Sequence, residues 1–429
     1  MKILVVACYS PIINNSASIE TLMYLNNLVS NGENEVHLLT VDFPENSIYY
    51  DKEILQLLDE HIKLHKIDGG RIFNKIMPKK IINASADKEM VNDSKKFQLL
   101  RKIKNKIIFP DMYYIWSKAA AKYANEKLMN AGKPFDVIFS MHEPPSSHLC
   151  AKNIKLKNQG IPWITYWSDP WLSDPSRSDI GIIRKTIEGR MEKSVVMNCD
   201  KLIFVTEANK NDFRKRYNLK NENLYLINRG YDQKLYQQLE QEEKPKEIDE
   251  NKINILYAGE IFSKLRDISK FIKALDKLKN DNKDVYNSFN IMFYGNIDDA
   301  SLCERLKSFE NVKVNKRIPF RQALKLMIHS EVLLLFGNKN SKQIPAKIYD
   351  YFGCKGKVLV VLGDENDPIK SVVENKDKCI TINNSSEAIY ASLIDIYTKN
   401  QNNELIDIPL EAYEWGAVTR KMESIFKGM

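Results

Sequence analysis

The sequence predicts an α/β protein built from two Rossmann-like domains, each a doubly wound parallel sheet, facing a central cleft. Three observations predict it. A chain of 429 residues exceeds what a single core comfortably holds. Short Ile- and Val-rich runs alternate with helical patterns, in one series that ends near residue 238 and a second that begins after residue 251. With 43% hydrophobic and 28% charged residues, there is enough apolar material to fill a core in each half.

The first series opens with an apolar run over residues 2–8. A polar turn from Ser10 to Ser18 follows, then a helical pattern carried by Ile19, Leu22, Met23, Leu25 and Leu28. Gly32 ends that helix just before a strand at Val36 to Val41. The pattern resumes with strands at Val137 to Ser140, Trp163 to Trp167 and Lys201 to Thr206, separated by helices from about Ser147 and through about Asn198. Strands bounded on both faces by helices imply a parallel sheet. A first domain over residues 1–238 is therefore expected.

Residues 239–251 are charged, offer almost nothing to bury, and read as the linker. The second domain, 252–409, repeats the alternation. Strands are expected at Ile253 to Ala258, Phe289 to Tyr294, Val312 to Val314, Val332 to Phe336 and Val358 to Leu362, with helices between them and a last one near Glu387 to Tyr397. No sequence repeat of solenoid length is present.

Composition narrows the function classes. The six cysteines show no metal-ligand spacing and read as reduced thiols that pack. No stretch reaches the roughly 18 apolar residues a membrane span requires, so a cytoplasmic location is expected. The net charge of +8 is matched by one segment: Arg71 to Lys106 holds eleven Lys or Arg against Asp87, Glu89 and Asp93. That segment interleaves bases with Ile72, Phe73, Ile76, Met77 and Ile81, as an amphipathic insertion over 71–107 lying on an anionic membrane surface would. A merely solvated insertion reads the same way. Nucleic acid is not an expected partner, because no recognisable module with stacking aromatics accompanies the charge.

Four motifs carry candidate chemistry. Ser140-Met-His-Glu-Pro-Pro-Ser-Ser147 follows a strand and precedes a helix, which places His142 and Glu143 at the carboxyl edge of the first sheet. His142 can donate to a substrate hydroxyl or an anionic oxygen, and Ser146 and Ser147 would offer a helix N-terminus; a capping loop with a satisfied histidine is the alternative. Trp163 to Trp171 ends in Asp169-Pro170, setting an acid at the same edge, while Trp171 and its neighbouring aromatics either stack on a sugar or simply pack. Tyr257 to Arg266 runs from a strand through Gly259 to Lys264 and Arg266, cations suited to a diphosphate or to a solvated turn. Gln343 to Cys354 opens a helix near Pro345 and sets Lys347 and Asp350 on one face. A cation beside a diphosphate and a carboxylate beside a ribose are what a nucleotide sugar requires, whereas an ordinary ion pair on a helix needs only the same spacing.

These motifs resemble the GT4 family of retaining glycosyltransferases, of the GT-B architecture, over nearly the whole chain. His142-Glu143-Pro144 is similar to the His-Glu-Pro loop of the family's phosphatidylinositol mannosyltransferase-like members. Ser168-Asp169-Pro170-Trp171 resembles the Arg-Asp-Pro-Trp segment of a surface-polysaccharide branch. Ile227 to Asp232 is similar to the family's turn before the linker, Pro345 to Tyr351 to its Pro-x-Lys-x-x-Glu-Tyr helix, and Tyr413 to Trp415 to the start of its C-terminal helix. Phe109-Pro-Asp-Met to Trp116 looks familial as well. The chain departs from the pattern at the paired acids, which are Lys342 and Asp350 here, and at the glycine-rich loop, replaced by Asn14 to Ser18.

The resemblance implies a retaining transferase with no cofactor, moving a sugar from a nucleoside-diphosphate sugar to a glycan or polyprenyl-diphosphate-linked acceptor, and no metal is expected because helix N-termini and these cations can neutralise the departing diphosphate themselves. It would act at the inner face of a bacterial cell membrane in surface-polysaccharide synthesis. His142 and Asp169 would be catalytic. Gly259, Lys264, Arg266, Arg317, Ile344, Pro345, Ala346, Lys347 and Asp350 would hold the donor, and Asn15, Ser16, Glu143 and Trp171 the acceptor. A helix at about 410–429 would return to the first domain. The alternatives are a catalytically silent paralogue acting as an interaction subunit and a nucleotide-sugar epimerase. The sequence sets no oligomeric state.

Overall fold

The computed structural model describes residues 1–428 apart from 14, 48, 78–108, 131, 175, 176, 178 and 179. By internal packing the chain divides into two compact units. The first comprises Met1–Val205, Asn209–Ile227 and the chain from Thr419 onward; the second comprises Thr206–Ala208 and Asn228–Val418.

The first unit holds a seven-stranded parallel sheet: β1 Lys2–Val6, β2 Glu35–Asp42, β3 Lys63–Asp68, β4 Val137–His142, β5 Trp163–Trp167, β6 Lys201–Phe204 and β7 Leu224–Leu226. Its spatial order is β3-β2-β1-β4-β5-β6-β7. Every residue of β1, β4 and β5 is buried, which is why these strands read as continuous apolar runs rather than alternating ones. From Thr419 onward the chain packs into this unit: the Phe426 ring lies 5.2 Å from that of Phe139, and Asn34 Nδ2 donates to Glu423.

The second unit holds a six-stranded parallel sheet: β8 Ile253–Ala258, β9 Phe289–Tyr294, β10 Val312–Asn315, β11 Val332–Phe336, β12 Lys357–Val361 and β13 Cys379–Ile382. Its order is β10-β9-β8-β11-β12-β13. Both sheets are therefore doubly wound, reversing strand order between β1 and β4 in one and between β8 and β11 in the other. Such reversals open a crevice at the carboxyl ends of the flanking strands.

The expected strands occupy the expected places to within two residues at each end, and three further strands, β3, β7 and β13, complete the sheets. All three are edges. β3 reads Lys-Leu-His-Lys-Ile-Asp and no residue of it is fully buried, β7 has three residues, and β13 is half-buried. Edge strands need not be apolar, so periodicity gives little sign of them.

The basic segment expected at 71–107 lies outside the described residues except for its start, a short helix at Arg71–Ile76. Among the described residues no helix is long and apolar enough to cross a membrane. All six cysteines are free thiols.

Candidate functional site

In the second unit, the loops that leave β8 and β11 meet over the switch point. Lys339 N–H donates to Leu265 O (2.8 Å), joining the two loops through the backbone. Arg266 reinforces the joint: its Nε donates to Asn338 Oδ1 (3.0 Å) and its Nη1 to Tyr257 Oη (3.3 Å) and to Glu260 O. Asn338 Nδ2 in turn donates to Gln343 O (3.2 Å). These bonds hold the guanidinium in place and leave Nη2 without an acceptor among the described residues. Gly259 sits against Gly295, whose φ is 137° and where a Cβ would come within 2.0 Å of the Gly259 carbonyl oxygen. Only glycine tolerates both the conformation and the approach.

The six-residue helix Lys347–Phe352 lies beside this joint. The Tyr351 hydroxyl pins it beneath the switch point, accepting from Ala258 N–H (3.3 Å) and donating to Leu334 O (3.3 Å). One turn of helix carries Lys347 Nζ to 3.7 Å from Asp350 Oδ2, with the lysine side chain 35% exposed. Burial pushes the Asp350 carboxyl above the usual range, against the opposing pull of Lys347 and Arg229. The structure thus brings Gly259, Arg266, Lys347 and Asp350 to one sheet edge, with Ile344, Pro345 and Ala346 leading into the helix. Lys264 is on the same loop but exposed. Arg317 is exposed on the loop that follows the edge strand β10.

The first unit's switch point is built differently. His142 ends β4 with its imidazole only 3% exposed as a residue and neither ring nitrogen hydrogen-bonded among the described residues. The ring stacks on Trp167 (5.4 Å between centroids, 28°) and on His148 (5.7 Å, 19°). Burial, with the charge of Arg177 nearby, lowers His142 to about 3, so the imidazole is neutral at physiological pH. The Ser168 hydroxyl donates to His142 O (2.6 Å), tying the loops after β4 and β5 together. The peptide bonds on both sides of Glu143 are cis.

Two expectations are corrected here. The helix Ser146–Lys155 does not offer its N-terminus to a ligand, because Asp111 already takes it: Ser146 N–H and Oγ donate to the two carboxylate oxygens (3.0 and 2.7 Å), and Ser147 Oγ accepts from Cys8 N–H (3.0 Å). Trp171 cannot stack on a sugar, because it is wholly buried and its indole N–H donates to Glu188 Oε2 (2.8 Å). Glu188, itself fully buried, is held by Arg177 and Arg184, each at 2.5 Å. One turn further along, Glu192 accepts from Leu172 N–H (2.9 Å). Two carboxylates on the helix Ile182–Val196 thus fix the segment that follows Asp169. Asp169 and Glu143 are half-buried. Asn15 caps the helix Ser16–Val29, its Oδ1 accepting from Ser18 N–H (2.8 Å), and Ser16 is exposed.

Asp111 and His148 are contributors that motif spacing did not single out. His148 stands six residues beyond His142 on the following helix, a spacing that could have paired them. Asp111 lies in the Phe109 to Trp116 segment, but spacing could not show its partner, since it meets Ser146 from 35 residues away.

Comparison with solved structures bears on the whole chain. HepE from Anabaena, in complex with UDP-glucose, superimposes with a TM-score of 0.61 at 12% identity, covering 100% of both chains. A glycosyltransferase from Rickettsia africae gives 0.62 at 12% identity, over 100% of this chain and 97% of that one. An E. coli trehalose-6-phosphate protein bound with UDP-2-fluoro glucose gives 0.63 at 10% identity, over 100% and 99%. The fold is GT-B. At these identities the likeness establishes the architecture alone. No protein-family model matches the sequence, and no curated protein is similar to it.

Proposed function

We propose that the chain is a nucleotide-sugar-dependent glycosyltransferase whose second unit binds the donor. The observation that carries the reading is the convergence of Arg266 and Lys347 at the switch point of a GT-B fold. Arg266 Nη2 and Lys347 Nζ would neutralise the diphosphate as it departs, a fixed electrostatic stabilisation of developing charge. Asp350 would accept from the ribose hydroxyls. Its carboxyl is shorter by a methylene than the glutamate of the family motif it resembles, so the helix must approach the ribose correspondingly closer. UDP-glucose and UDP-2-fluoro glucose are bound by two of the structural neighbours, which makes uridine nucleotides the first donors to try.

In this reading the first unit serves the acceptor. The neutral imidazole of His142 offers a hydrogen bond to a hydroxyl of the reacting sugar, and Asp169 and Glu143 lie on the same edge. Retention of configuration and a GT4-like role in building a surface polysaccharide follow from the motif resemblance, and metal independence from cations that can neutralise the departing diphosphate themselves. The charge excess of Arg71 to Lys106 supports an acceptor carried on lipid, with that segment resting on anionic headgroups.

The test is a thermal-stability titration with nucleoside diphosphates and nucleotide sugars. A ligand at 100 times its Kd adds about 2.7 kcal/mol. Selective stabilisation by one nucleotide, lost in Lys347→Ala, is expected. A folded, monodisperse protein that responds to none of them would favour a silent interaction subunit instead.

A further inference from the structure

Behind His142 lies a buried polar chain that the proposed donor chemistry does not use. The indole N–H of Trp163 donates to Ser140 Oγ (2.8 Å), and the same oxygen lies 2.8 Å from His148 Nδ1. An indole only donates, so Ser140 Oγ accepts from Trp163 and has its hydroxyl hydrogen left to place. Nδ1 of His148 is the acceptor within reach among the described residues. That assignment makes His148 the tautomer with its proton on Nε2. His148 is wholly buried, and its ring packs tilted against Trp167 (4.4 Å, 47°) and stacks on His142 (5.7 Å, 19°). Three imidazole nitrogens, both of His142 and Nε2 of His148, are buried with no protein partner among the described residues. Buried polar groups left unmet are uncommon and point to a ligand or ordered water that completes them.

We infer that His148 is a positioning residue for His142: the chain Trp163–Ser140–His148 fixes one ring, and that ring and Trp167 fix the plane of His142 so that it meets a sugar hydroxyl. The inference rests on the glycosyltransferase reading for its substrate and on the hydrogen-bond chain for its geometry. It also narrows the ligand. A dehydrated, uncharged imidazole suits a hydroxyl and not an anionic group, so the sugar position facing His142 carries a hydroxyl rather than a carboxylate or phosphate.

Two measurements on the full chain test it. With 15N-labelled histidine, NMR reads the tautomers: His148 is expected with its proton on Nε2 in the wild type, and Ser140→Ala is expected to lose that preference. A wild-type His148 protonated on Nδ1 overturns the chain. The kinetic arm uses the donor selected by the nucleotide titration, UDP-glucose first. His148→Phe keeps the ring and loses the nitrogens; kcat is expected to fall roughly tenfold or more, as for a small misplacement of a reacting group, with donor affinity within about twofold of wild type. An unchanged kcat in His148→Phe overturns the positioning role. Should His148→Phe fail to fold, Ser140→Ala is expected to lower kcat in the same direction, and an unchanged kcat there overturns the proposal. If no donor binds, the glycosyltransferase reading fails, while the tautomer measurement still decides the chain.

Discussion

At the edge of the first sheet buried charges are met by protein partners while the imidazole of His142 is left unmet, whereas at the edge of the second, cations are held half in solvent. Both edges are switch points of the same topology. In the first, Asp111 consumes the helix N-terminus, Glu188 is enclosed by two arginines and an indole, and His142 is kept neutral between aromatic rings. In the second, Arg266 is fastened on one side and open on the other, and Lys347 touches Asp350 while a third of it meets water. The difference teaches that topology chooses where a ligand binds and side chains choose its charge. A buried, uncharged imidazole suits hydroxyls; a cationic edge suits a diphosphate.

The contrast predicts that mutations in the first unit cost stability and those in the second cost binding. The largest effect is expected for Glu188→Ala, which leaves Arg177 and Arg184 without their buried partner; losing one member of such a network costs about 3–5 kcal/mol. Denaturant unfolding followed by tryptophan fluorescence would read it, since Trp116, Trp163, Trp167 and Trp171 are all in the first unit. Lys347→Ala comes next. It should weaken nucleotide binding by about 1.5–3 kcal/mol, the range for a charged hydrogen bond. The unliganded protein should lose no more than about 1 kcal/mol, because a half-exposed ion pair contributes little. An apo-protein as unstable as Glu188→Ala would erase the distinction between the edges.

Acid sharpens the comparison further. His142 and His65 are lowered by burial to about 3 and about 4, and His148 lies well below the ordinary value, all in the first unit. The unfolded chain protonates these histidines near pH 6.5 and the folded chain does not, so the unfolded state binds more protons below that pH. Their stability contribution is complete above about pH 6.5 and falls as the pH drops toward 4. Replacing His142 with Phe should remove one proton from this linkage, making the decline shallower by up to about 1.4 kcal/mol per pH unit. An unchanged slope between pH 6 and 4 would show that His142 is protonated in the fold. The smallest effect is expected for Arg317→Ala. Exposed at the far rim of its sheet, it should alter nucleotide affinity by less than about 0.5 kcal/mol; a larger loss in calorimetric titration would extend the donor site across β9.

Much of the fold was legible because buried parallel strands announce themselves as apolar runs. Val332 to Phe336 and Ile253 to Ala258 show no polar face because both sides are covered. β3 escaped for the opposite reason, being an edge that alternates charge with half-buried Leu64 and His65. At the candidate site, Lys347 and Asp350 were legible because helical spacing alone places them together. Trp171 was not, since an aromatic beside a proline reads alike whether it faces a sugar or a buried carboxylate. What sequence spacing missed came from far along the chain: Asp111 beneath Ser146, and Gly295 against Gly259.

The most direct test of the account is hydrogen exchange of the whole chain with and without saturating UDP or the nucleotide that the titration selects. The account predicts slowed exchange in the loops after β8 and β11, over residues 259–267 and 338–350, when nucleotide is bound. Protection confined to the first unit, at residues 7–16 and 142–148, would contradict it, because the nucleotide would then sit on the first sheet's edge and leave Arg266 and Lys347 without their role.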